Sequence, residues 1–441
     1  MPQRDTATRS ATRILGIYNL ANPLRVPRDT LRPLTTVLHM GRFDGHITAA
    51  GRLLPQLVYH TYVDLPDRLR VSAFDGGIPI ESIKLALATT PRHDGLLLLN
   101  VELGEAATAA HITEFIFATW RDRAAIRISD EPLCDWVTAR LPGSVAGEPI
   151  AFGRNVHQCV FAGGAVAREL LRRNAEAEDA LPEVVSILFR GTIDGTRGRE
   201  LGIRRPAVLN NGDTFMLVHG RGVTLAAGWA EPVENAFGVA AAGLVNAAGV
   251  LHRVRRRTLD ALELNDAVDV SSVSEARSLI SRLSNRLSEL QLDLSFGIEA
   301  YADTILIPEI LVESYHTSLR GVAGLHESSA NTSQMVGRVA SVIEARRAVL
   351  DAATNEWLVR RERIFGASIA IGTLLALPPA LMLAYFGVNG SEVDSSYSIF
   401  DLHKYGLVYA VIWLPFITLV AAVAIVRRRV RLRMPKWHKH S

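Results

Sequence analysis

Residues able to do chemistry are thinly spread in this 441-residue chain. Its 13 histidines are scattered. Its two cysteines, Cys134 and Cys159, are too few for a disulfide framework and lack the CxxC spacing of a zinc site. There is no HExxH and no GxxxxGKS/T, and no Ser-His-Asp or Cys-His set can be assembled. The expectation is a protein without catalytic residues or a resident cofactor. One row of residues is periodic in a way that bears on chemistry. Gly366, Ala370, Thr373, Leu377, Ala380, Ala384 and Gly387 recur at three-and-four spacing, so they share one face of a helix. Such a mostly small-residue face permits close helix packing or a narrow axial path for an ion. Pro378 and Pro379 remove backbone donors, which a membrane helix tolerates only where neighbours or water satisfy the freed carbonyls.

The elements that carry this row are membrane spans. Residues 364–386 and 405–426 run 23 and 22 positions without a charge, and about 20 apolar residues cross the hydrocarbon as a helix. They hold ten and twelve Leu/Ile/Phe/Val residues; at about −0.3 to −0.6 kcal/mol each, either favours insertion by several kcal/mol. Arg360, Arg361 and Arg363 precede the first span, and Arg427, Arg428, Arg429, Arg431 and Arg433 follow the second. The connection 387–404 has one Lys against three acids. Positive-inside counting therefore places both termini in the cytoplasm and the short loop outside, in a plasma (inner) membrane. The basic pI of 8.9 belongs to the tail: residues 427–441 hold seven Lys/Arg and no acid, whereas residues 1–363 hold 40 bases and 42 acids. No nucleic-acid partner is expected of such a body. The first fifteen residues have no apolar core, so no secretory signal is expected, and cysteine scarcity agrees with a reducing compartment.

Length suggests two or three folding units, and the chain divides as follows. Residues 1–235 read as a mixed α/β cytoplasmic domain. Strand-like runs are 36–40, 57–63, 95–103, 157–163, 183–191 and 214–220; helix-like runs are 106–124, 131–141 and 164–176. Residues 236–330 read as a helical region, in which the Ala/Gly-rich run 236–251 is a packed helix too short to span. Ser272 to Glu275 forms a capping box, with apolar residues from Ala276 to Leu294 behind it at helical spacing. Pro308 opens another helix ending near Leu325, before the turn-rich 327–333. A stalk helix over 331–363 then leads into the first span. Its stripe of Val336, Val339, Ile343, Leu350, Ala353 and Trp357, interrupted at Arg346, wants neighbouring helices along its length. The reading is one helix from about 332 to 386, with a bend near Gly366 as the alternative. Residues 387–404 form the outer loop, 405–426 the second span and 427–441 the basic tail.

Two spans cannot enclose a pore within one chain; alone they anchor, and in a symmetric ring they line a channel. The first span ends in Tyr385-Phe386-Gly387-Val388-Asn389. Here the sequence resembles the CorA-type divalent-metal transporter superfamily. Its signature is an aromatic residue followed by Gly-Met-Asn at the outer end of the first of two C-terminal spans, commonly with a proline nine residues before the glycine, where Pro378 stands. The resemblance covers about residues 270–441. Val388 replaces the motif methionine, a position that also varies in the zinc-transporting ZntB-like branch. The resemblance implies a homopentameric CorA-like funnel of α/β domain, long stalk helix and two transmembrane helices. It implies that the first span lines the pore (Thr373, Leu377, Ala380, Ala384) and that Gly387, Val388 and Asn389 form a selectivity filter for Mg²⁺, or for Co²⁺, Ni²⁺ or Zn²⁺. A ring of neutral Asn389 oxygens suits an ion that dehydrates reluctantly, because strong carboxylate binding there would hinder exit. Glu392 and Asp394 then either raise local cation concentration or form a solvated polar loop. The sequon at Asn389 is a chance match to the filter.

Two further features stay open. Arg253, Arg255, Arg256 and Arg257 form a basic run that serves as a solvated face or as a contact for an anionic ligand or lipid. Arginines 360, 361 and 363 spread around their helix, so one of them could face the axis and oppose cations; snorkelling to headgroups or pairing with acids is the alternative. The competing reading of the whole is a membrane-anchored sensor or effector that uses the same hairpin and is gated by a ligand. An anchored enzyme has no motif behind it.

Overall fold

The computed structural model describes residues 10–49, 54–63, 69–71, 80–123, 126–141, 149–176, 181–193, 206–212, 214–267, 273–299, 301, 307, 309–388, 396, 398 and 400–431. It divides into two compact units, residues 1–271 with 278–344 and residues 272–277 with 345–441. The strands are β1 (Thr12–Leu20), β2 (Gln56–Val63), β3 (Leu69–Val71), β4 (Ile80–Thr89), β5 (Gly95–Leu103), β6 (Ile126–Ile128), β7 (Glu131–Pro132), β8 (Phe152–Ala162), β9 (Ala207–Asn211), β10 (Met216–His219) and β11 (Val223–Ala227). The helices are α1 (Asp44–Ala49), α2 (Ala109–Arg121), α3 (Leu133–Arg140), α4 (Gly164–Glu176), α5 (Pro182–Leu188), α6 (Glu231–Ala267), α7 (Val273–Leu294), α8 (Ile310–Ala323), α9 (Leu325–Val388) and α10 (Leu402–Arg431).

Eight strands form one sheet in the order β2-β4-β5-β1-β8-β11-β10-β9, with β3, β6 and β7 in a small second sheet. Every pairing in the large sheet is antiparallel except β8 with β11. Side chains of a strand alternate between faces. Ile14 and Tyr18 of β1 join a core with Ile112, Phe115 and Ile116 of α2 and Val184 and Ile187 of α5. The intervening Leu15 meets α6 on the opposite face, where a Cβ on Gly238 would lie 2.7 Å from it. Both faces are thus covered, and every residue of β1 is buried.

The run 236–251 is not too short to span: it lies within α6, a 37-residue helix that by length and composition alone could cross a membrane, yet it is packed into the body. The most apolar window of α6 is 78% buried within the body, and it sits against β1 and β8 with α8 behind it. Its small residues allow this approach: Gly243 abuts the Tyr301 ring, whose hydroxyl donates to the Ala240 carbonyl at 2.8 Å. Arg13 ties β1 to the start of α6 through Asn235 at 2.6 Å and Glu234 at 3.0 Å, while its guanidinium lies 4.4 Å from the Phe161 ring centre.

Several local expectations need correction. Residues 36–40 are not a strand. Pro33 and Gly41 (φ +60°) bracket them, and the chain makes short 3₁₀ turns there. Residues 183–191 are mostly helix α5: Pro182 supplies a preset first turn, and Val184, Ile187 and Leu188 bury one side at helical spacing. The stretch 327–333 is not a turn. The break falls one step earlier, at Gly324, whose φ of 64° ends α8. The stalk helix therefore begins at Leu325 rather than 331 or 332. It runs as α9 to Val388, with Pro378 and Pro379 inside it. No strand-like run in the sequence marks β1, β3, β4, β6, β9 or β11, and β7 lies within the helix-like run 131–141.

Candidate ion path

Val388 is the last residue of α9, and Gly387 beside it is exposed. Asn389, Glu392 and Asp394 lie outside the described residues. Thr373, Leu377, Ala380 and Ala384 are all exposed. At about 100° per residue they and Gly387 fall within an arc of about 80°. The sheltered stripe of the same helix is Ile371, Leu374, Pro378 and Met382, centred about 145° away. On α10 the sheltered positions form a broad face of Tyr405, Gly406, Val408, Tyr409, Ile412, Trp413, Phe416 and Val420, whereas Leu407, Val411, Leu414 and Ile417 are exposed. By length and composition both helices can cross a membrane, and their apolar windows are only 11% and 6% buried. Each helix therefore keeps one stripe shielded and leaves the rest of its apolar surface open.

The arginines that precede the apolar stretch of α9 do not share the Thr373 direction. Projected along the helix, Arg360 lies about 140° away, Arg361 about 120° the other way and Arg363 about 80° away. Arg360 pairs with Glu356 at 3.8 Å, and the Arg361 guanidinium stands 5.5 Å from the Trp357 ring centre. The residue that does fall within about 20° of the Thr373 direction is Glu362. The sequence reading missed Glu362, although the same three-and-four count extended one turn below Gly366 would have reached it. Asp351 sits 3.8 Å from Arg277 and 3.9 Å from Arg347 with half of its side chain exposed, a pairing worth about 0–1 kcal/mol in water. The stalk stripe divides. Val336, Val339 and Ile343 are buried, whereas Trp357 is 57% exposed and Ala353 is also exposed.

In the body, a buried polar seam joins the sheet to α8. His157 Nε2 lies 2.8 Å from Thr224 Oγ1, which lies 2.7 Å from the Tyr315 hydroxyl. His219 Nε2 lies 3.0 Å from Ser318 Oγ, and the His316 ring packs edge-on against Tyr301 at 4.5 Å. Burial lowers His157 to about 3 and His219 to about 4; burial, aided by Arg320, lowers His316 to about 4. Burial likewise pushes the thiols of Cys134 and Cys159 up to about 12, so neither is a thiolate nucleophile at neutral pH. Among the described residues, no group of three or more His, Cys, Asp or Glu is placed to hold a metal ion. Comparison of the chain with protein-family models, curated proteins and solved structures returns no match in any of the three. The fold is thus an N-terminal α/β sheet domain followed by long helices, two of them apolar and largely uncovered.

Proposed function

We propose that this chain is a CorA-type transporter that assembles as a homopentamer in the plasma membrane and passes divalent cations along an axis lined by the first span. Both termini face the cytoplasm, and the basic tail meets lipid headgroups. The observation that carries this reading is the direction of the small-residue row. Thr373, Leu377, Ala380 and Ala384 stand on the exposed side of α9, away from its sheltered stripe. This leaves them free to meet other copies of the chain. The half-exposed Trp357 and Leu358 of the stalk supply further apolar surface for the same contact. The arginines point off that face, and Glu362 lies on it, which suits cation entry and exit better than a ring of positive charge. The driving force needs no nucleotide: a divalent ion moving inward gains about 4.6 kcal/mol per 100 mV.

The test is uptake of Mg²⁺, Co²⁺, Ni²⁺ and Zn²⁺ into liposomes holding the full chain, with and without Asn389→Ala. The reading expects uptake of at least one ion that the substitution abolishes while the oligomer persists. Absence of uptake for all four ions would leave the hairpin as an anchor. A membrane-anchored, ligand-gated sensor is then the better reading, and the cationic cavity of the body favours it.

A further inference from the structure

The basic run on α6 does more than face solvent. Asn246, Gly249, Arg253 and Arg256 recur at three-and-four spacing, and that face of α6 closes over the end of β1 and the starts of β5 and β8. A cavity of about 310 Å³ lies there, with Arg154 and His252 also on its wall. A second cavity, of about 710 Å³, is lined by Arg28, Arg92 and His93 and by the apolar Val26, Leu31 and Phe296. Asp94 and Asn246 belong to both linings, so the two cavities adjoin. All of these residues lie in the first compact unit.

The charges do not balance. Asp94 and Asp293 neutralise two arginines: Arg253 pairs with Asp94 and with Asp293, the latter at 3.3 Å, and Arg92 Nε donates to Asp293 at 2.6 Å. Arg28, Arg154 and Arg256 have no ion-pair or hydrogen-bond partner for their side chains among the described residues. Burial together with Arg154 and Arg256 holds His252 below its ordinary range, and burial together with Arg25, Arg92 and Arg28 does the same to His93. Each cavity therefore concentrates positive charge. At the junction, Asn246 is 6% exposed and its Oδ1 has no hydrogen-bond partner. A buried amide oxygen in that condition calls for a donor. The guanidinium fork is suited to phosphate oxygens, and the combined space suits a small organic molecule.

We infer that the body binds a phosphate ester of nucleotide size, its phosphates held at Arg154 and Arg256, its organic part in the larger, more apolar lobe, and a hydroxyl or amino group donating to Asn246. Binding requires nothing of the ion path, and it stands or falls separately from transport.

The test is equilibrium binding of ATP and of pyrophosphate to the full chain in detergent, in low and in moderate salt. Saturable binding of both is expected, with ATP the tighter ligand and affinity falling as salt rises. Arg154→Ala/Arg256→Ala, at exposed positions, should weaken both ligands at least tenfold while the melting temperature of the unliganded protein stays the same. Asn246→Ala, which removes the acceptor at the junction, should weaken ATP more than pyrophosphate. No saturable ATP binding, or affinity unchanged in the double variant, overturns the proposal. Binding of pyrophosphate but not ATP refutes the two-lobed site. Binding that appears only when anionic lipid is present assigns the arginines to headgroups and refutes it as well.

Discussion

Acidification should loosen the sheet domain through three buried histidines. His157, His219 and His316 are 1%, 0% and 6% exposed, and the second ring nitrogens of His157 and His219 have no hydrogen-bond partner. A proton added there would create a buried charge with an unsatisfied donor. In the folded state they titrate at about 3, 4 and 4, against an ordinary value of 6.5. The unfolded chain therefore takes up protons that the folded chain excludes. Stability is intact above pH 6.5, falls as pH drops below it, and continues to fall to about pH 4 for His219 and His316 and about pH 3 for His157. At pH 5 each histidine costs about 2 kcal/mol relative to neutral pH, or about 5–6 kcal/mol for the three. That is comparable to the whole stability of many domains and corresponds to about 10 °C or more in the melting midpoint. Trp229 reports the transition, since its indole donates to the Met216 carbonyl at 3.1 Å and stacks on Phe215 at 4.6 Å. The assay is a melt of the full chain in detergent, followed by Trp fluorescence at pH 7.5 and pH 5. The triple variant His157→Gln/His219→Gln/His316→Gln should lose most of the difference. A midpoint that holds steady or rises on going to pH 5 would refute the reasoning.

Other outcomes follow from the same contacts. Arg13→Met leaves Glu234 buried without its 3.0 Å partner and should cost about 3–5 kcal/mol; adding Glu234→Gln should recover part of it in the same melt. Gly228→Ala should cost at least about 2 kcal/mol, because φ is +79° and a Cβ would collide with the Thr214 carbonyl. Trp357→Glu alters a residue 57% exposed in the single chain. It should leave the Trp229 melt unchanged while reducing the oligomer mass by native mass spectrometry. If the mass is unaffected, the stalk stripe does not serve assembly.

The parts legible in the sequence were those with a single periodicity. The two long apolar stretches, the helix 164–176 and the strand 95–103 each carry one unmixed pattern, and the structure has helices or strands there. β1 was illegible because it is covered on both sides: Arg13 and Asn19 are buried by specific partners, so no alternation marks the strand. Residues 183–191 misled through Val184, Val185 and Ile187, whose strand preference yields to the proline-started turn. The turn-rich composition of 327–333 likewise gave way to the long helix around it, because Arg255 reaches Ser328 and Thr332 at 2.8–3.0 Å and fastens that turn to α6. The cavity could not be read at all. Its walls come from residues as far apart as Asn19 and Arg256, and only the basic run on α6 signalled it.

The most direct measurement of the central claim is cysteine accessibility along the first span. In a Cys134→Ser background, Ala384→Cys and Thr373→Cys would each be treated with a charged, membrane-impermeant thiol reagent during cation uptake into liposomes, beside Leu375→Cys on the far side of the helix. The account predicts that modification at 384 and 373 blocks uptake and that modification at 375 does not. Block at 375 alone, or uptake indifferent to all three, would contradict it.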